Sequence, residues 1–303
     1  MTRIAYYLVL KPLSLLPFFI LNRIADLFYL VFLTVFQYRR KVVMDNLTGC
    51  FPEKDEKELK KIACKFYRHF ADMIVESVKN FSISKEGAMK MMKNINSEIL
   101  HELQKEGKSI AICGGHYANW ELYAMVGGQH VPMFTLGIYK KIKDKFLDQK
   151  MQESRGKYGM NLIATVEATE WLKTNRDLQK AVIYAFDQSP ANPAKAHWMT
   201  FLGRDTPVYF GPEKHANEFN MAVVFGHFQK LGRNQYAIEY ELITKDPSEL
   251  AHGELTEIMM RKLEADIIAE PAYWLWTHKR WKHEKKRAQF DPNMKAQDEV
   301  AQN

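Results

Sequence analysis

Short apolar runs recur along this chain at spacings that leave room for helices: SIAIC (109–113), PMFTL (132–136), NLIATV (161–166), AVIYAF (181–186), MAVVFGHF (221–228) and YAIEYELI (236–243). Helical patterns sit between several of them, at 140–158, 168–178 and 254–269. Strands alternating with helices predict an α/β layer fold, with a mixed, largely parallel sheet flanked by helices. Ahead of the first run, Leu59, Ile62, Ala63, Phe66, Phe70, Met73 and Ile74 fall at helical spacing within 54–79. At 303 residues and 47% hydrophobic, the chain can bury a sizeable core, which excludes disorder and a collagen-like structure. Cys50, Cys64 and Cys113 are too few and too scattered for a disulfide framework, and no Cys/His cluster has zinc spacing. No metal site is expected, and the setting reads as reducing and cytoplasmic. No internal repeat or Gly/Ser-rich linker appears. The expected organisation is an N-terminal membrane anchor over 1–40, one mixed domain over 41–290 and a polar tail over 291–303.

The anchor is read from residues 4–36, where only Lys11, Arg23 and Asp26 are charged. Those charges leave uncharged runs at 12–22 and 27–36, both short of the roughly 20 residues of a clean spanning helix. The stretch also lacks the cleavage site of a signal peptide. Membrane attachment is the expectation, through an apolar anchor helix that either spans, tilted or broken, or lies in the interface. The alternative is a buried helical hairpin. Tyr38-Arg39-Arg40-Lys41 follows at once and favours the cytoplasmic side, next to anionic headgroups. A second basic run, 279–287, holds six Lys/Arg and one Glu beside Tyr273, Trp274, Trp276 and Trp281. The net charge of +7 fits an acidic partner in general. Its placement in these two runs points to an anionic membrane surface and an acidic carrier protein. No nucleic-acid reader motif is present.

The segment richest in chemistry is Ser109-Ile-Ala-Ile-Cys-Gly-Gly-His-Tyr-Ala-Asn-Trp-Glu121, an apolar strand running into a glycine pair, then His116, then Glu121 at the start of an apolar helix. Five residues on one regular helix would set His116 and Glu121 about 140° apart, so His116 belongs on the turn before the helix. That turn lies at the carboxyl edge of the sheet, where α/β folds place their sites. A neutral imidazole there can take a proton from a hydroxyl. A carboxylate on its other nitrogen, Glu121 in this reading, would fix the tautomer. By itself an H-x4-E match is a weak signal, and a His satisfied by a backbone carbonyl is the bland alternative. No GxSxG or GxGxxG follows a strand, and Gly107-Lys108-Ser109 lacks the earlier glycine of a P-loop because residue 102 is Glu. His215, His227 and His252 stand alone.

HYANWE after a glycine-pair strand end resembles the HxxxxE motif of the lipid A biosynthesis late acyltransferases, within the wider lysophospholipid acyltransferase-like group. Further motifs in the family's order carry the resemblance through most of the chain. They are Tyr38-Arg39-Arg40 to Asn46-Leu47, Phe51-Pro52, Glu76, Arg155 in ESRGKYG, Asp187-Gln188, Phe201-Leu202-Gly203, and the closing Pro271-Ala-Tyr-Trp-Leu-Trp-Thr-His-Lys-Arg-Trp-Lys282. Ala118 departs from the pattern, since many members have Gly there. The resemblance implies a bacterial inner-membrane acyltransferase with its catalytic domain on the cytoplasmic face. It would transfer a fatty acyl chain from an acyl carrier protein thioester to a hydroxyl of a lipid A precursor, without a cofactor. In that reading His116 is the base, Glu121 orients it and Arg155 stabilises the oxyanion. Asn119 shapes the turn or touches substrate, Asp187 positions Arg155 or the acceptor sugar, and Lys279 and Arg280 meet substrate. The alternatives are the same transfer to another membrane lipid (a phosphoglycolipid, lysophospholipid or aminolipid) and a non-catalytic membrane scaffold.

Overall fold

The computed structural model describes residues 2–34 and 36–290. Its centre is a seven-stranded sheet built from β1 (Met92–Asn94), β2 (Ile110–Gly114), β3 (Phe134–Tyr139), β4 (Met160–Ala164), β5 (Lys180–Ala185), β8 (Ala222–Gly232) and β9 (Gln235–Thr244). The order across the sheet is β1-β9-β8-β2-β5-β3-β4. All neighbouring pairs are parallel except β8 and β9. Those two are joined by a tight turn through Asn234, a residue that tolerates the left-handed backbone (φ 60°) it adopts there. β2 is central: Ile110 to Cys113 are buried and pair with Ala181 to Tyr184 of β5 on one side and Ala222 to Phe225 of β8 on the other. The mixed, largely parallel sheet is thus present, and each apolar run of the sequence corresponds to a strand.

Helices cover the sheet. Glu56–Lys79 starts on a capping box in which Asp55 and Glu58 satisfy each other's backbone N–H groups. It buries Leu59, Ala63, Phe66, Tyr67, Met73 and Val75. Trp120–His130 follows β2, and Glu254–Ala269 buries Leu255, Met259, Met260, Leu263 and Ile267. A separate hairpin pairs β6 (His197–Phe201) with β7 (Arg204–Val208). Its two turn residues, Leu202 (φ 51°) and Gly203 (φ 73°), both take the positive φ that tight hairpin turns require.

Among the described residues the N-terminal stretch forms no helix that could span a membrane. Leu16 is extended ahead of Pro17, as the residue before a proline prefers, and this divides the helical segments of 2–15 from the helix Phe18–Thr34. Seventeen residues of helix span about 26 Å, less than the roughly 30 Å of a hydrocarbon core. Among the described residues no helix is long and apolar enough to cross a membrane. Instead Leu21 and Ala25 pack into Ala71 and Val75 of Glu56–Lys79. Two of the charges that interrupt the apolar stretch have tertiary partners: Lys11 Nζ donates to the Phe81 carbonyl at 3.3 Å, and Asp26 accepts from Arg233 at 2.9 Å and from Arg68 at 3.0 Å. One face stays uncovered, with Ile4, Tyr7, Leu8, Val9, Leu15, Phe19 and Leu27 exposed. The tail expected at 291–303 lies outside the described residues.

Candidate active site

Parallel β2 and β5 end side by side, so the turns that follow them share the carboxyl edge of the sheet. After β2 the chain passes close to Glu254–Ala269; a side chain at Gly115 would have to push Leu263 aside, its Cβ lying 2.5 Å from Leu263 Cδ1. His116 and Tyr117 follow, then Ala118 in the left-handed region (φ 47°). A residue with a Cβ costs about 1–2 kcal/mol there, which is offset by three clamps on the turn. The Ala118 N–H donates to the Tyr273 carbonyl at 2.9 Å, and its carbonyl lies 3.1 Å from His69 Nε2. Next to it, Asn119 Oδ1 caps the helix Trp120–His130 by accepting from the Leu122 N–H at 2.8 Å. The Asn119 amide nitrogen donates to Glu76 Oε2 at 2.6 Å, and Glu76, fully buried, also accepts from Tyr236 Oη at 2.7 Å and Asn234 at 2.8 Å. Burial pushes the Glu76 carboxyl up, against the pull of these hydrogen bonds and of Lys230.

His116 faces Asp187, two residues past the end of β5. Nδ1 lies 2.6 Å from Asp187 Oδ1. Asp187 Oδ2 accepts from the His116 backbone N–H at 2.9 Å and from the Trp274 indole N–H at 2.7 Å. Burial pushes the Asp187 carboxyl up, but the charge of His116 and these hydrogen bonds outweigh it and hold it at about 2. Burial pulls His116 down, yet the charge and hydrogen bond of Asp187 carry it above its ordinary value, with Glu121 adding and Arg155 opposing. With an ionised carboxylate on Nδ1, that nitrogen carries the proton and the lone pair sits on Nε2. Gln188 Nε2 lies 3.1 Å from that atom. Glu121, in the first turn of its helix, instead meets Arg155 from Lys145–Gly156: Arg155 Nη2 donates to Oε1 at 2.8 Å and Nε to Oε2 at 3.1 Å. A family model for bacterial lipid A biosynthesis acyltransferases matches residues 1–283. The chain belongs to that family. No curated protein matches it.

In this family member the carboxylate on His116 is therefore Asp187 and not Glu121, because the neighbouring strand delivers Asp187 to Nδ1 while Glu121 meets Arg155. Glu121 reaches His116 through its charge alone. Arg155 answers Glu121 with two of its nitrogens, and Asp187 holds His116, not Arg155. Asn119 is fully buried with both ends of its amide engaged, one as the helix cap and one on Glu76, so it shapes the turn. Lys279 is exposed, but Arg280 is fully buried beneath the surface. Its guanidinium finds no acceptor among the described residues, and burial pulls it down to about 10 in spite of nearby Asp187.

Three further parts of the site had no role assigned from the sequence, although Glu76, Trp274 and His278 stand in its quoted motifs. Trp274, from the closing motif, fixes Asp187. His278 accepts the Ser189 backbone N–H on Nε2 at 2.9 Å, and burial brings its pKa to about 4, so it stays neutral. His69 and Glu76 brace the turn from Glu56–Lys79. The signal that could have paired Asp187 with His116 was its placement at the end of an apolar strand, the same position relative to β5 that His116 holds relative to β2.

Proposed function

We propose that this protein transfers a fatty acyl chain from an acyl carrier protein thioester to a hydroxyl of a lipid A precursor, as a late, secondary acylation in lipopolysaccharide biosynthesis at the cytoplasmic face of the inner membrane. The observation that carries this reading is the His116–Asp187 pair, an oriented base with its lone pair on Nε2, in a chain of the lipid A biosynthesis acyltransferase family. His116 Nε2 takes the proton of the acceptor hydroxyl as its oxygen attacks the thioester carbonyl carbon. The C–S bond then breaks, and the proton passes from the imidazolium to the leaving thiolate. The sum is an ester and a free thiol. No cofactor enters.

Two surfaces support the setting. The exposed apolar side chains of the N-terminal helices suit an amphipathic segment lying in a membrane interface. The first basic run and the helix it opens are tied to the segment just before the second: Arg39 Nη1 donates to the Thr277 carbonyl at 2.9 Å, and Asn46 Nδ2 donates to the carbonyls of Trp276 and His278, both at 2.9 Å. Arg39, Arg40, Lys41, Lys279 and Lys282 are exposed, and these cations suit an acidic carrier protein. Mass spectrometry of lipid A from a deletion strain tests the reading. Lipid A lacking one acyl chain, restored by the wild-type gene and not by His116→Ala, is the expected result. Unchanged lipid A with an altered phospholipid pool would overturn the choice of acceptor.

A further inference from the structure

The side-chain amide of Gln188 stands where the acceptor hydroxyl has to arrive. His116 Nδ1–H is donated to Asp187, so the base's lone pair is on Nε2, and Gln188 Nε2 is 3.1 Å from it. An imidazole nitrogen with a lone pair accepts, so the amide N–H donates to it. The backbone on either side of this side chain is pinned. Phe186 N–H bonds the Gly114 carbonyl at 3.4 Å, and Ser189 N–H bonds His278 Nε2 at 2.9 Å. Gln188 itself is half-buried, so its side-chain torsions can turn while its Cα stays in place.

An acyl transfer also needs a donor for the oxygen that becomes negative in the tetrahedral intermediate. Many N–H groups around His116 are already committed. Its own backbone N–H and the Trp274 indole serve Asp187, the Ala118 N–H serves Tyr273, and Arg155 Nε and Nη2 serve Glu121. Among the described residues, the Gln188 amide nitrogen is bonded only to the atom that substrate must take over. We propose that Gln188 is a catalytic residue. In the free enzyme it caps the lone pair of His116, and when the acceptor hydroxyl takes its place the displaced amide donates to the thioester carbonyl oxygen as that oxygen becomes the oxyanion. A neutral amide fits this task. A carboxylate would repel the oxyanion and hold a proton on His116, and a cation would oppose the imidazolium. The assignment rests on the acyl-transfer reading of the site. The bond changes are those of the transfer itself: a C–O bond forms, the C–S bond breaks and the hydroxyl proton ends on sulfur.

The test compares wild type with Gln188→Met, which keeps the shape and removes the donor, and with Gln188→Glu, following thiol release from an acyl carrier protein thioester across pH. Loss of one oxyanion donor is expected to lower kcat about a hundredfold for Gln188→Met, with KM for the thioester little changed. The amide bond stabilises neutral His116, so its removal lets the imidazole protonate more readily. The acid limb of kcat/KM should move to higher pH in Gln188→Met, and further in Gln188→Glu. A kcat within threefold of wild type together with an unmoved acid limb overturns the assignment. If neither variant folds, 15N NMR of imidazole-labelled wild type reads the same bond: a free, unbonded Nε2 overturns it, and a hydrogen-bonded one supports it. A folded wild type that releases no thiol overturns the acyl-transfer reading and this assignment with it, an outcome distinct from an active wild type beside an unaffected Gln188→Met.

Discussion

His116 Nδ1 sits 2.6 Å from Asp187 Oδ1, across two adjacent parallel strands and seventy-one residues of chain. That pairing makes Asp187 the group that sets both the tautomer and the proton affinity of the base. Asp187→Asn keeps the shape but offers Nδ1 an ambiguous partner and removes the charge that raises His116. The expected result is a fall in kcat of about 10⁴, the size seen when the same change is made in a serine protease triad. Because His116 loses the charge that lifts its pKa, the acid limb of activity should shift to lower pH. Steady-state assays across pH check both; activity within tenfold of wild type would argue that another group orients the base.

Glu121 and Arg155 form a two-pronged ion pair that is only about a fifth exposed, so each leaves the other uncompensated when removed. Glu121→Gln and Arg155→Gln should each lose activity to a similar extent, and the double variant should be no worse than the poorer single one. Chemical denaturation of the same four proteins should give a coupling of about 1–2 kcal/mol. Additive losses in both readouts would show that the two side chains act separately.

How much of this was legible beforehand follows from how far apart the partners are. The strands were readable because each is a short apolar run, and Asn119 as a turn residue because capping is a local property. The Asp187 partnership was not readable: it depends on β5 lying next to β2, and strand order is decided by the whole sheet. H-x4-E drew attention to Glu121 because it is near in sequence, whereas proximity in the fold belongs to the neighbouring strand. β1 is only three residues long, too short for any alternation to register, and the β6–β7 hairpin is hidden by its polar positions. A spanning helix stayed open for the N-terminal stretch because hydropathy records how apolar a segment is, and not whether Ala71 and Val75 lie ready to cover its Leu21.

Buried neutral histidines tie stability to pH. His69 is fully buried, its Nδ1 lies 3.1 Å from Lys230 Nζ, and burial followed by that charge holds its pKa at about 3. Burial brings His130 and His278 to about 4. All three are depressed in the folded state, so their contribution is complete above the unfolded value near 6.5 and is lost as pH falls toward 4 and 3. Each unit of pH in that window should cost up to about 1.4 kcal/mol per histidine. Urea denaturation at pH 7 and pH 5 measures the slope. His69→Gln should flatten it, and an unchanged slope would exclude His69 from the effect.

The N-terminal helices carry two kinds of apolar residue, and substitution separates them. Leu21 is 1% exposed and wedged against Glu56–Lys79, whereas Leu8 and Phe19 are 72% and 71% exposed on the outer face. If that outer face lies in a bilayer interface, Leu8→Glu with Phe19→Glu should release the protein from vesicles containing anionic lipid. Taking two large apolar side chains out of the interface forfeits about 3–5 kcal/mol of burial, enough to lower partitioning more than a hundredfold. Thermal unfolding without lipid should barely move, because neither side chain is buried in the protein. Leu21→Ala should do the opposite, costing about 2–5 kcal/mol of stability while leaving the outer face intact. Vesicle sedimentation beside thermal unfolding distinguishes them, and full vesicle binding by the double glutamate variant would remove this face from membrane attachment.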